Sequence, residues 1–210
     1  MGLALCMLLL NPLLKSSADV FAKQIEYEKT RALISEADRA FELIGRAIRI
    51  ASYRNIKSSQ KPKNINIGKA SKNQALEIQM GAGYQKSDAL FIRHELSDGV
   101  DFDCIGNALT KERTKHHLAY QGFIVDRQAA LPKGVNGNGG SLICQSLDRQ
   151  GRLQNTTLMN GVDGMFIEEF PVLSDKASGT QRLFEVTLRM TDGGHINTVV
   201  KRSFATRNFL

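Results

Sequence analysis

The sequence predicts an α+β protein in which one long N-terminal helix packs on an antiparallel β-sheet domain. Three observations carry that prediction. Val20, Tyr27, Ile34, Phe41 and Ile48 recur seven apart, with Ala37, Ile44 and Ala51 in the interleaved register, which is a helical stripe. After about residue 75 the apolar spacing changes from helical to alternating. Between the alternating runs lie Asp98-Gly99, Asn136-Gly137-Asn138-Gly139-Gly140 and Asp192-Gly193-Gly194, the chemistry of turns. With 210 residues, 42% hydrophobic content and only 4 prolines, the composition is globular, and it fits one domain with a protruding helix.

The first segment, residues 1–19, is apolar from Leu3 to Leu14 and interrupted by Asn11 and Pro12. It is shorter than the roughly 20 residues that span a bilayer. No Lys or Arg precedes it and no small-residue cleavage site clearly follows, so it reads poorly as a secretory signal. Pro12 is expected to start the helix or to kink it. An N-terminal core helix and a fragment of a longer membrane segment are the two alternatives. Residues 20–54 form the amphipathic spine, where Glu26, Glu28, Arg31, Glu36, Asp38, Arg39, Glu42 and Arg46 fill the solvated face and Glu42 and Arg46 make an i,i+4 pair. A helix from Leu3 to Tyr53 is roughly 75 Å long, more than a domain of this size needs for one core. Something outside the domain is expected to hold its front end.

The net charge of +7 is unevenly placed. Residues 1–73 carry 13 Lys and Arg against 6 Asp and Glu, whereas residues 74–210 are balanced at 15 and 15. No acid lies between Glu42 and Glu77, a stretch that holds Arg46, Arg49, Arg54, Lys57, Lys61, Lys63, Lys69 and Lys72. Such a segment attracts nucleic acid, anionic lipid or an acidic protein. The alternative is a solvated basic loop, since beyond Tyr53 no aromatic residue is interleaved among its basic ones for base stacking. Its second part, residues 55–74, is a linker rich in Lys, Ser and Asn, broken by Pro62 and Gly68.

Residues 75–210 make the β-rich domain. Strand candidates are Leu76, Ile78 and Met80, then Ala89 to His94, Leu118 to Asp126, Ser141 to Leu147, Gly164 to Phe170, Arg182 to Met190, and Ile196 to Phe204. The last two, joined by Asp192-Gly193-Gly194, read as a hairpin. There is no internal repeat.

Of the three cysteines, Cys6 lies in the apolar segment and reads as a small buried hydrophobe. Cys104 and Cys144 lie 40 positions apart in the β-rich half. A disulfide between them closes a long loop, worth on the order of 4 kcal/mol on the chain-entropy account, and implies an oxidising compartment. Two unpaired buried thiols are the alternative, and a zinc site with His116 and His117 is a weaker one, because neither cysteine belongs to a closely spaced ligand pair. The four histidines have no metal-site spacing, and Asp98, Asp101 and Asp103 lack the pattern of a calcium loop. The glycines at 134–140 follow no phosphate-loop pattern and Gly-x-Ser-x-Gly is absent. The chain is therefore expected to be a non-enzyme without a cofactor.

Several short elements, in order along nearly the whole chain, resemble a known family. They are Ile48-Arg49-Ile50-Ala51-Ser52-Tyr53, Ser87-Asp88-Ala89-Leu90, Asp103-Cys104-Ile105-Gly106, Leu142-Ile143-Cys144, Asn160-Gly161-Val162 and the ending Arg207-Asn208. Together they resemble the type IV pilus minor pilins of the PilW kind, in which an Ala-Gly-Tyr-like triplet closes the long helix and an Asp-Cys-x-Gly element and a later cysteine sit in the sheet domain. The resemblance implies a structural, priming subunit of a pilus that is anchored in the inner membrane with a periplasmic domain and then carried in the surface filament. Filaments of this kind serve adhesion, motility or DNA uptake. The implied partners are other minor and major pilins and the inner membrane, with Leu3, Leu5, Leu8, Leu9, Leu10, Pro12, Leu13 and Leu14 as the membrane and filament contacts. A pseudopilin of a type II secretion system shares the same spine. The family's basic leader, its Gly cleavage site and its Glu five residues on have no counterpart here, so the expectation is a truncated or misassigned start or a chain that is not processed as a pilin. Two readings from other classes stand beside it: a DNA-binding surface protein using residues 46–72, and a soluble periplasmic or cytosolic domain.

Overall fold

A computed structural model describes residues 2–53, 75–115, 118–129, 139–171 and 182–207, and the side chains of residues 14 onward within them except that of Pro171. One helix, α1 (Gly2–Ile50), is followed by seven strands: β1 (Leu76–Gln79), β2 (Ala89–Glu95), β3 (Leu118–Arg127), β4 (Gly140–Leu147), β5 (Leu153–Pro171), β6 (Arg182–Thr191) and β7 (Asn197–Ala205). The architecture is α+β, as the periodicity predicts.

The helix runs across Pro12 rather than starting there. From Leu13 to Leu43 it contains neither Gly nor Pro, and Ala, Leu, Glu, Lys and Arg dominate, so nothing breaks it. Its end comes before residue 54. Ser52 takes a left-handed conformation at φ 62°. Tyr53 N–H closes the last turn on the Ile50 carbonyl at 3.0 Å, and the chain then docks on β2, with Glu95 N–H donating to the Tyr53 carbonyl at 2.9 Å.

Every strand is antiparallel to its sequence neighbour, so the strand order follows the chain from β1 to β7. Alternation gives the sheet one face for the helix. Leu90 and Ile92 of β2, Phe123 and Val125 of β3, Leu142 and Cys144 of β4, and Phe184, Val186, Leu188 and Met190 of β6 pack with Ala37, Ala40, Phe41, Ile44, Ala47, Ile48 and Ala51 of α1 in one core. The spacing of these helical residues is the i, i+3, i+4, i+7 stripe of an amphipathic helix. Gly45 lies in the same stripe, and a Cβ there would collide with the ring of Phe204. The Phe204 ring thus reaches the helix backbone and lies 6.2 Å from the Phe41 ring. A smaller cluster of Ala89, Phe91, Tyr120, Ile124 and Leu147 fills the opposite side of β2 to β4.

The sequence expectation for the fifth strand, Gly164 to Phe170, is too short. β5 begins at Leu153, pairs with β4 over its first half, and transfers to β6 from Val162 onward. Gly161, at φ 75°, and a register shift between Val162 and Gly164 bend it there. The bend brings Met165 and Ile167 against the start of β2. Asp88 N–H donates to the Met165 carbonyl at 2.7 Å, and the buried Asp88 carboxylate accepts from Ile167 N–H and Gly81 N–H, each at 2.9 Å. The carboxylate satisfies backbone donors that would otherwise be buried without partners. Two smaller corrections concern turns. Met80 lies past the end of β1 and is 85% exposed. Asp98-Gly99 opens a long β2–β3 connection over residues 96–117 rather than a tight hairpin. The β6–β7 hairpin forms as predicted, with Asp192 accepting from Gly194 and Ile196 N–H at its tip.

Candidate functional site: the uncovered half of the helix

Of the described side chains of α1, the domain covers fewer than half. From Ala37 to Ala51 the apolar stripe is buried, with Ile44, Ile48 and Ala51 fully inaccessible. Toward the N-terminus the same helix presents Leu14, Val20, Phe21, Ile25, Tyr27 and Ile34 to solvent, from 37% exposed at Ile34 to 68% at Tyr27. They recur at helical spacing rather than singly, with polar residues between them. They fall into two rows. At about 100° per residue, Leu14, Phe21 and Ile25 share one side, while Val20, Tyr27 and Ile34 share another about 140° away. A helix apolar on two sides is built to be enclosed rather than to lie on a single partner.

Two ion pairs mark where the helix leaves the sheet. Lys29 Nζ lies 3.5 Å from Asp192 Oδ2 at the β6–β7 tip. Arg202 Nη2 of β7 lies 2.6 Å from Asp38 Oδ1. The Gly194 N–H, with the Ile196 N–H and Lys29, holds the Asp192 carboxyl below its ordinary range. Beside the Lys29–Asp192 pair is an open cleft of about 500 Å³, lined among others by Lys29, Leu33, Glu36, Asn160, Thr191 and Asp192. Of its charged groups, Lys29 and Asp192 are paired with each other, and Glu36 lies on the same wall.

The other predicted site residues fall as follows. The side chains of Leu3, Leu5, Leu8, Leu9, Leu10, Pro12 and Leu13 lie outside the described residues, and Leu14 is exposed. Arg46 and Arg49 are on the exposed face of α1; Arg54, Lys57, Lys61, Lys63, Lys69 and Lys72 lie outside the described residues, as do His116 and His117. Cys104 and Cys144 are bonded to one another, joining the β2–β3 connection to β4. Among the described residues no group of His, Cys, Asp or Glu could hold a metal ion, and no helix is long and apolar enough to cross a membrane.

The sequence alone does not reveal the scaffold around the disulfide. Asp103, adjacent to Cys104, has a fully buried carboxylate. It accepts from Ile105 N–H at 3.0 Å, Asn107 N–H at 2.8 Å and Asn107 Nδ2 at 3.1 Å, with Arg113 Nη1 at 3.7 Å. Gly106 at φ 92° closes the turn. The signal for this hub is the Asp-Cys-x-Gly spacing itself, in which a short acceptor precedes a turn glycine. Beyond this chain, no family model, no curated protein and no solved structure matches it.

Proposed function

We propose that this chain is a non-enzymatic filament subunit, a minor pilin of a type IV pilus that helps prime pilus assembly. The observation that carries the reading is the half-covered helix: one half seated in its own disulfide-braced domain, the other apolar on two sides and bare. In a filament, neighbouring helices cover both rows, and the domain hangs outward. Removing Leu14, Val20, Phe21, Ile25, Tyr27 and Ile34 from water drives that packing at roughly 25 cal/mol per Å². Before assembly the apolar segment Leu3 to Leu14 at the front of this helix rests in the inner membrane, where a helix satisfies its own backbone. Other minor and major pilins are the partners. The fragments such as Asp103-Cys104-Ile105-Gly106 that resemble the PilW kind support a pilus over other helical assemblies.

The test is site-specific crosslinking in cells. With a photo-crosslinking residue at Val20 or at Phe21, the two positions capture pilin helices, and antibody detects the chain in sheared surface filaments. Capture of secretion-system subunits, with no chain in the filaments, transfers the reading to a pseudopilin. A chain recovered as an uncrosslinked monomer from both positions refutes it.

A further inference from the structure

The core-facing row of β2 runs Leu90, Ile92, His94, and that of β3 runs Ala119, Gln121, Phe123, Val125, so the polar His94 and Gln121 sit together at the end of the sheet under the β2–β3 connection. His94 is 2% exposed and Gln121 is 3% exposed. Their hydrogen bonds form a single directed chain. His94 Nδ1 lies 3.0 Å from the Glu95 carbonyl. A carbonyl only accepts, so Nδ1 carries the proton and Nε2 is bare. Gln121 Nε2 lies 3.4 Å from that bare nitrogen and 3.3 Å from the Phe102 carbonyl. One amide nitrogen therefore donates both ways, to the ring and to the connection. Turning the amide over would set its oxygen against the Phe102 carbonyl, so the donor arrangement is the one that holds this segment.

We propose that His94, Gln121 and Phe102 form an acid-released latch on the β2–β3 connection. A proton on Nε2 meets the Gln121 N–H head-on. Relief requires the amide to present oxygen to the imidazolium, and the Phe102 carbonyl then loses its donor. Cys104, two residues on, stays fixed by its bond to Cys144, so the freed stretch hinges there. That stretch carries Val100 and Phe102, already 69% and 44% exposed. Among the described residues the charged group acting on the ring is Asp101, itself accepting from Ser97 N–H at 2.6 Å and Ser97 Oγ at 2.8 Å; Glu95 meets the ring through its carbonyl, and β3 contributes neutral Gln121. Burial pushes the His94 ring below its ordinary value of 6.5, against the opposing pull of Glu95 and Asp101. The open form takes up a proton that the closed form resists, so the latch is intact above 6.5 and loses stability as pH falls below it.

Amide hydrogen exchange on the full-length, disulfide-bonded chain tests this, corrected for the intrinsic pH dependence of exchange. The Asp103 and Leu109 amides, bonded to Asn107 and Asp101 carbonyls, report the connection. Their protection should fall by up to about tenfold per pH unit below 6.5, the limit for one proton, while amides shared by β5 and β6 stay constant. His94→Gln should abolish the slope. Flat protection in the wild type, or the same slope in H94Q, overturns the latch. The nitrogen chemical shifts of the wild-type ring give a check that needs no variant: an Nε2–H tautomer at neutral pH refutes the arrangement.

Discussion

The two halves of α1 are one continuous helix with one apolar periodicity, yet they live in different surroundings. Phe41 in the back half is 2% exposed and Tyr27, two heptads away in the same stripe as Val20 and Ile34, is 68% exposed. The back half carries small residues, Ala37, Ala40, Gly45, Ala47 and Ala51, between its larger ones, and these let the sheet come close. The front half alternates larger apolar residues with Lys23, Glu26, Glu28 and Arg31, and among the described residues Lys29 ties it to the sheet at the β6–β7 tip. Burial in the back half is a matter of folding, whereas burial in the front half is, on the proposed reading, a matter of association. A substitution should therefore register in one measurement or in the other.

The comparison is sharpened most by Phe41→Ala. It empties a space beside Phe204 in the closed core and should cost about 3–5 kcal/mol in denaturant unfolding. Replacing both Cys104 and Cys144 by Ser frees the β2–β3 connection from β4 and should cost about 2–4 kcal/mol in the same assay. Gly45→Ala sets helix propensity against the Phe204 ring. Propensity favours Ala by about 1 kcal/mol, and the overpacking penalty of about 1–3 kcal/mol leaves a net loss or a near balance. A clear gain in stability would mean that the ring is not seated on the backbone. At the boundary, Lys29→Ala removes a partly exposed ion pair and should change stability only slightly, the difference vanishing in high salt. Smallest of all, Val20→Ser with Tyr27→Ser should leave unfolding unchanged within about 0.5 kcal/mol while, if the proposed function holds, abolishing co-assembly with pilins. Loss of folding stability in that double variant would erase the distinction between the halves.

Much of this was legible from residue order. Turn dipeptides and alternation locate the other six strands within a residue or two, because half-buried strands in a meander expose one face and pack the other. The fifth strand escaped because Leu153 to Asn160 is rich in Gln, Asn and Thr, and Gly161 reads as a stop; what continues the strand is the exchange of β4 for β6 along its length. Asp88 stood out only as part of the Ser87-Asp88-Ala89-Leu90 element, with no sign of what its carboxylate holds. Its carboxylate matters only because the bend in β5 delivers Ile167 N–H to it. His94 sits in a short apolar run and looks like a core residue, and its donor chain depends on Phe102, eight positions away in an irregular connection.

The sequence by itself determined which face of α1 is apolar, where the helix gives way to strands, and which cysteines share the sheet domain, since these follow from periodicity and turn chemistry. Only the tertiary structure decided how far along the helix its own domain reaches. Periodicity is a local property and records the direction of a side chain, not what stands opposite it. The 49-residue helix extends about 73 Å, and the stretch from Ala37 to Ala51 about 22 Å. A sheet of 4- to 19-residue strands folded around that stretch leaves the rest of the stripe beyond its edge.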